Sequence, residues 1–109
     1  MTDWKVSSLE NNKFLSMLGI SKKAGKLVTG YDPVIEAILK NKIVMVMLSN
    51  ELSEKNAAKI KNAAEKNNIP VKEINISMNE IAYALGSKPT GILGISDKGL
   101  AHILEQSAQ

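Results

Sequence analysis

Apolar residues recur along the chain with two alternating spacings, one typical of helices and the other typical of strands. Phe14, Met17 and Leu18, for example, stand at i, i+3 and i+4, so a helix would place them on one face. Short apolar runs separate such segments. The predicted elements, in chain order, are a helix over 12–24, a strand over 26–29, a helix from 33 to about 40, a strand over 43–48, a helix over 53–67, a strand over 71–76, a helix over 78–85, a strand over 92–96 and a last helix capped by Asp97.

Residues 43–48 form a continuous apolar run, which is typical of a strand that is covered on both faces. We therefore expect this segment to be the central strand. The second helix is expected to bury Val34, Ile38 and Leu39. The regular alternation of helices and strands predicts an α/β fold in which helices cover both faces of a parallel or mixed sheet.

Residues that begin and end helices punctuate this pattern. Asp32 followed by Pro33 predicts an N-cap and a first helical position, where the missing proline N–H costs nothing. Ser77 and Glu80 have the spacing of a capping box, and Gly86 is a suitable C-cap for the same helix. The second and fourth helices therefore have predicted boundaries.

The composition fits a single domain over residues 1–109 with its core over about 12–104. Of the 109 residues, 44% are apolar and 23% are charged, as in ordinary globular proteins. The chain has no cysteine, which excludes disulfides, thiolate metal sites and cysteine catalysis and favours a cytoplasmic location. We expect no signal peptide and no membrane partner, because the longest apolar run is too short to span a bilayer.

Positive charge is concentrated in the first half of the chain. Between Lys13 and Lys42 six lysines stand against two carboxylates, so this window carries +4 while the whole chain carries +3. Such a basic face favours a polyanionic partner, most often nucleic acid, although a solvated lysine-rich surface is the alternative. All 14 basic residues are lysine. Specificity would therefore have to come from backbone groups, polar side chains and shape rather than from bidentate arginine contacts.

No motif indicates an enzyme. His102 is the only histidine, and no carboxylate cluster accompanies it at metal-ligand spacing. No nucleophile elbow or catalytic triad is present. The stretch GKLVTGYD matches neither the phosphate-binding loop of nucleotide triphosphatases nor the dinucleotide-binding fingerprint. We therefore predict no catalytic residue, no metal and no cofactor.

Residues 21–38, SKKAGKLVTGYDPVIEAI, are the strongest candidate for ligand binding. They place Lys22, Lys23 and Lys26 before the second helix, whose N-terminal N–H groups and dipole favour an anion. Two roles are open to Asp32: its carboxylate could cap its own helix, or it could accept hydrogen bonds from guanine N1 and N2. The two roles could also coexist.

Three stretches of the chain, AGKLVTGYDPVIEAILKNKIVMVMLSNE, NNIPV and ALGSKPTGILGISDKG, together carry a family resemblance. In the order and spacing of these segments, over residues 12–104, the chain resembles the kink-turn RNA-binding ribosomal proteins L-seven-Ae and L-thirty-e. It is most similar to the stand-alone bacterial branch, the YlxQ-like proteins. The resemblance implies a three-layer α/β/α sandwich with a mixed four-stranded sheet.

The resemblance also implies an RNA site made of two loops. In the ribosomal members the turn into the second helix reads Gly-x-Asn-Glu-x-x-Lys, and Gly30, Asp32, Pro33 and Glu36 stand at the matching positions. Gly30-Tyr31 matches the Gly-Tyr of L-thirty-e-like members. The second loop precedes the last strand. The candidate RNA-binding residues are Lys22, Lys23, Lys26, Gly30, Tyr31, Asp32, Glu36, Gly86, Lys88 and Pro89.

The function expected from the resemblance is non-enzymatic binding of structured, kink-turn-like RNA, with ribosomal RNA as a candidate partner and the ribosome as the setting. The replaced asparagine, glutamate and lysine of the family motif should weaken kink recognition. A scaffold that keeps the fold but has lost specific RNA recognition is the alternative, and an accessory domain of an RNA methyltransferase is a third hypothesis. We expect a monomer. RNA binding predicts that the candidate lysines converge on one face around the Gly30 turn.

Overall fold

Five helices and four strands alternate in the computed structural model, which describes the backbone of residues 2–108 and the side chains of residues 12–108. The predicted order of elements is confirmed. The elements are α1 (Thr2–Lys23), β1 (Leu27–Thr29), α2 (Tyr31–Leu39), β2 (Met45–Ser49), α3 (Glu54–Lys66), β3 (Val71–Ile74), α4 (Met78–Leu85), β4 (Ile92–Ile95) and α5 (Lys98–Ser107).

The four strands form one mixed sheet in the order β1-β4-β2-β3. β4 runs antiparallel to both of its neighbours, β1 and β2, whereas β2 and β3 are parallel. All five residues of β2 are buried, and β2 has a strand on each side. The prediction that this apolar run forms a central strand is therefore confirmed, although the strand begins at Met45 rather than at Ile43.

Alternate residues of the inner strands point into two separate cores. Met45 and Met47 of β2 pack with residues of α1, α4 and α5, whereas Val46 and Leu48 pack with residues of α2 and α3. The predicted three-layer α/β/α sandwich is thus confirmed. This alternation is what a strand buried on both faces requires, since successive side chains point to opposite sides.

The helix boundaries follow the predicted caps in α4 and α5. Ser77 and Glu80 form the capping box, and Gly86 ends α4 in the left-handed conformation with φ of 63°. The Asp97 carboxylate accepts a hydrogen bond from the Leu100 N–H at 2.9 Å. These predictions are confirmed, and they place the loop between α4 and β4 at residues 86–91.

The prediction that Leu39 of α2 lies in the core is wrong. Val34 and Ile38 are fully buried as expected, but Leu39 is 64% exposed and Ala37 is buried instead. Residues 34, 37 and 38 follow the i, i+3, i+4 spacing of one helix face, and the next residue turns away from it.

Candidate nucleic-acid interface

Gly30 holds the turn that leads from β1 into α2. Its φ of 96° and ψ of 162° lie in a region that essentially only glycine adopts. Its N–H donates to the carbonyl oxygen of Ile92 at 3.0 Å, and its carbonyl oxygen accepts from the Val34 N–H at 3.2 Å. Gly30 is therefore both the last residue bonded to the sheet and the N-cap of α2.

The prediction that Asp32 caps α2 is wrong. Because Gly30 takes the cap position, Tyr31 is the first residue of the helix and Asp32 and Pro33 are the second and third. Proline still fits there, since the N–H groups of the first turn have no partner within the helix. The Asp32 carboxylate is exposed and makes no hydrogen bond or ion pair with any residue that the structure describes. It favours α2 only through the helix dipole and stays open to a ligand.

The loop formed by residues 86–91 ends beside the Gly30 turn. Pairing of β1 with β4 places Thr29 opposite Leu93, and the hydrogen bond from Gly30 to Ile92 extends that pairing by one residue. The two loops that the family resemblance implies as an RNA site are far apart along the chain. The sheet places the Gly30 turn beside the end of the loop between α4 and β4.

The middle of the loop between α4 and β4 faces solvent. The backbone of its first residue, Gly86, has the left-handed conformation, and the Ser87 N–H donates back to the Ala82 carbonyl oxygen at 3.0 Å. Lys88 and Pro89 follow and are exposed. The ends of the loop are thus bonded to α4 and to the sheet, and the basic-proline pair is presented between them.

A third loop, between β2 and α3, holds the end of the loop between α4 and β4 in place. The sequence analysis did not predict a role for it. The Ser49 N–H donates to the Gly91 carbonyl oxygen at 2.9 Å, and the Ser49 hydroxyl donates to the Ile76 carbonyl oxygen at 2.7 Å. The Glu51 carboxylate accepts from the Met78 N–H at 2.8 Å. The one signal in the sequence was a polar residue at the end of the most apolar strand.

The lysines near the end of α1 lie at the opposite end of β1 from the Gly30 turn. The Lys22 ammonium donates to the Leu85 carbonyl oxygen at 2.6 Å and so interacts favourably with the C-terminus of α4. The carbonyl oxygen of Lys26 accepts from the Ser96 N–H at 3.0 Å. Four residues of extended chain, about 13 Å, separate Lys26 from Gly30. These lysines therefore flank β1 rather than surround the Gly30 turn.

Two further candidates on α2 already have partners within the chain. Tyr31 is half-buried against the core beneath α2. The Glu36 carboxylate is exposed and forms an ion pair with the Lys40 ammonium one turn later, at 3.2 Å. Glu36, which stands where the family motif has lysine, thus has its charge partly balanced by a neighbouring lysine.

No cluster of three or more histidine and carboxylate side chains that could hold a metal ion occurs among the described residues. His102 is exposed on α5. No helix in the part of the chain that the structure describes is long and apolar enough to cross a membrane.

The chain matches the model of the ribosomal protein L7Ae/L30e/S12e/Gadd45 family over residues 12–105. The chain is 34% identical over 89 residues to the RNA-binding protein YlxQ of Enterococcus faecium, covering 82% of this chain and 84% of that protein. It is 25% identical over 92 residues to the RNA-binding protein YlxQ of Bacillus subtilis (strain 168), covering 84% of this chain and 91% of the relative.

Solved structures share the fold, and two of them show how far the likeness extends. A protein of unknown function from Bacillus halodurans C superposes with a TM-score of 0.79 at 26% identity, over 87% of this chain and 95% of that one. The Giardia lamblia 15.5kD RNA binding protein superposes with a TM-score of 0.68 over 93% of this chain and 83% of that one. At 17% identity the second likeness concerns the fold alone.

Proposed function

Since this chain belongs to the ribosomal protein L7Ae/L30e/S12e/Gadd45 family, we propose that it is a non-enzymatic protein that binds structured RNA. The binding surface is formed by the Gly30 turn and the loop between α4 and β4. The two curated relatives that bear the name RNA-binding protein, each matched over most of both chains, support RNA as the ligand.

The observation that carries the proposal is the hydrogen bond from the Gly30 N–H to the Ile92 carbonyl oxygen. It joins the two loops that the family resemblance implies as one RNA site. It extends the pairing of β1 with β4, in which Thr29 lies opposite Leu93. With it, the N-terminus of α2 and the exposed Lys88 and Pro89 form parts of one surface.

The chemistry of this surface suits a phosphate backbone. The N-terminus of α2 has no side-chain cap, so its first N–H groups and its dipole favour an anion. Lys88 in the loop is exposed, as are Lys23 and Lys26 at the other end of β1, and none of the three makes an ion pair within the described residues. They would bind phosphates as point charges and release counterions, which makes the affinity salt-dependent.

We further propose that the RNA contains a kink-turn. Asp32 occupies the position of the family's asparagine, and its carboxylate is exposed and has no partner among the described residues, so this position is accessible to the RNA. Pro33 cannot reproduce the contact of the family's glutamate. The ion pair between Glu36 and Lys40 lowers the repulsion between Glu36 and phosphate.

The biological setting of the proposal is the cytoplasm, with ribosomal RNA as a candidate partner. The absence of cysteine suits a reducing compartment. The protein would act as a monomer, because the two loops of the site come from one chain.

The alternative function is a protein-interaction scaffold. An apolar groove between α1 and α4, in which Ile20 and Tyr83 are exposed, is the observation that favours it. A scaffold would bind its partner through this groove and would have no preference for kinked RNA.

The proposal is tested by fluorescence-anisotropy titration of a labelled kink-turn stem-loop at two salt concentrations. The matched control is the same stem with its G·A pairs replaced by Watson–Crick pairs. We expect tighter binding to the kinked stem. Equal, salt-sensitive binding to both stems would leave RNA binding in place and reject kink recognition, and failure to bind either stem would reject the proposed function.

A further inference from the structure

The outer face of α1 and α4 carries a groove of about 520 Å³ that the proposed RNA surface does not include. Leu15, Gly19, Ile20 and Lys23 line it from α1, and Tyr83 and Ala84 line it from α4. The sequence analysis did not predict this groove. The one signal for it in the sequence is Tyr83, an aromatic residue on the face of α4 that points away from the core.

Tyr83 is free of any role in the core. Its side chain is 92% exposed, while Ile81, Ala82 and Leu85 of the same helix are buried. Ile20 on α1 is 51% exposed. Large apolar groups exposed side by side in a groove are typical of binding surfaces.

Small residues give the groove its depth. Gly19 lies so close to α4 that a methyl group in place of its hydrogen would be 3.6 Å from the Ala84 carbonyl oxygen. Gly19 and Ala84 have no long side chain and form the floor of the groove, and the larger side chains of Ile20 and Tyr83 form its walls.

The charge of the groove favours an anionic occupant. Lys23 lines it, and none of the described residues that line it is acidic. The nearest carboxylate on α4, that of Glu80, is bound to the Ser77 N–H in the capping box.

The groove lies next to the beginning of the loop between α4 and β4. The Gly86 N–H donates to the Tyr83 carbonyl oxygen at 3.4 Å, so the loop between α4 and β4 begins one turn after Tyr83. Lys22, next to Lys23, donates to the carbonyl oxygen of Leu85. An RNA held at Lys88 would therefore need to extend by only a few nucleotides to reach the groove.

We propose that the groove between α1 and α4 binds an unpaired nucleotide that flanks the structured RNA, with its base stacked on Tyr83 and its phosphate at Lys23. This inference rests on the proposed function and extends the RNA site beyond the two loops. An aromatic face beside a lysine is the chemistry that single-stranded nucleic acid recognises, because every base has a π-face and every nucleotide a phosphate.

The experiment compares a kink-turn stem-loop with the same stem-loop carrying an unpaired tail of six nucleotides, each titrated with the wild type, Tyr83→Ala and Tyr83→Phe. We expect the tail to raise the affinity of the wild type about fivefold or more. Tyr83→Ala should remove this gain and leave binding of the tail-less stem unchanged. Tyr83→Phe should keep the gain, since it retains the ring.

The variants are expected to fold, because an exposed ring contributes little to the core. A tail that adds nothing to wild-type affinity, or a gain that survives in Tyr83→Ala, would overturn the inference and leave the proposed function standing. A second copy of the chain would be identified as the occupant if the wild type self-associates in sedimentation experiments, Tyr83→Ala abolishes this self-association and the tail has no effect on affinity. That result would also overturn the inference. If the wild type binds neither RNA, both proposals fail.

Discussion

Gly30 and Asp32 show how the conformation of a single residue decides what a neighbouring residue can do. Gly30 adopts backbone angles reserved for glycine and takes the N-cap position of α2. The Asp32 carboxylate is thereby released from capping and is exposed at the surface that we propose binds RNA. Of the two roles open to Asp32 in the sequence, self-capping is removed.

We expect Gly30→Ala to lower the free energy of unfolding by about 1–3 kcal/mol, because alanine is strained at a φ of 96°. Urea denaturation measures the change. The control is Gly86→Asn, at a φ of 63°. The free energy of unfolding should fall less in Gly86→Asn than in Gly30→Ala, since asparagine tolerates the left-handed conformation. A Gly30→Ala protein as stable as the wild type would contradict this account of the turn.

We expect Asp32→Asn to strengthen binding of the kink-turn stem by about fivefold, because it removes an unpaired negative charge worth about 1 kcal/mol near phosphate. Anisotropy titration measures the change. Glu65→Gln makes the same change of charge on α3, away from the proposed site, and should leave the affinity unchanged. Weaker binding by Asp32→Asn would instead show that the carboxylate accepts hydrogen bonds from guanine.

At the scale of the element, α2 and α4 begin in different ways. α4 begins with a capping box, in which the Ser77 hydroxyl accepts from the Glu80 N–H at 3.1 Å and the Glu80 carboxylate accepts from the Ser77 N–H. α2 begins at a glycine that has no side chain to offer. The fourth helix was predicted correctly because a capping box involves only residues within one turn. The start of α2 was misplaced by two residues because its cap is held by a bond to another strand.

This difference predicts that Ser77→Ala destabilises the protein more than Asp32→Ala does. Removal of the true N-cap should cost about 1 kcal/mol. Loss of the carboxylate in the first turn of α2 should cost no more than about 0.3–1 kcal/mol, because only the dipole interaction is lost. Urea unfolding of the two variants side by side checks the order. A larger loss for Asp32→Ala would mean that Asp32 does cap its helix.

At the scale of the whole molecule, the sheet assembles the proposed site. The order β1-β4-β2-β3 makes β1 an edge strand whose C-terminal end lies beside the beginning of β4. The Gly30 turn therefore lies beside the end of the loop between α4 and β4, whereas the beginning of that loop lies near Lys22, which donates to the Leu85 carbonyl oxygen.

We expect Lys88→Gln to reduce the salt dependence of RNA binding by about one unit of the log–log slope, since one phosphate contact is lost. Titration at several salt concentrations measures the slope. Lys59 is exposed on α3, on the other side of the sheet from α4, and Lys59→Gln should leave the slope unchanged. Equal slopes for Lys88→Gln and the wild type would exclude Lys88 from contact with phosphate.

The sequence by itself determined the order and type of the elements, the central position of β2, and the caps of α4 and α5. These depend on spacing and on hydrogen bonds between residues a few positions apart, which the chain specifies locally. Only the tertiary structure decided where α2 begins, which loops meet and where Tyr83 is exposed. The bond from Gly30 to Ile92 and the approach of Gly19 to Ala84 join residues more than sixty positions apart. No local pattern specifies such pairs, because they depend on how the whole sheet and both helical layers pack.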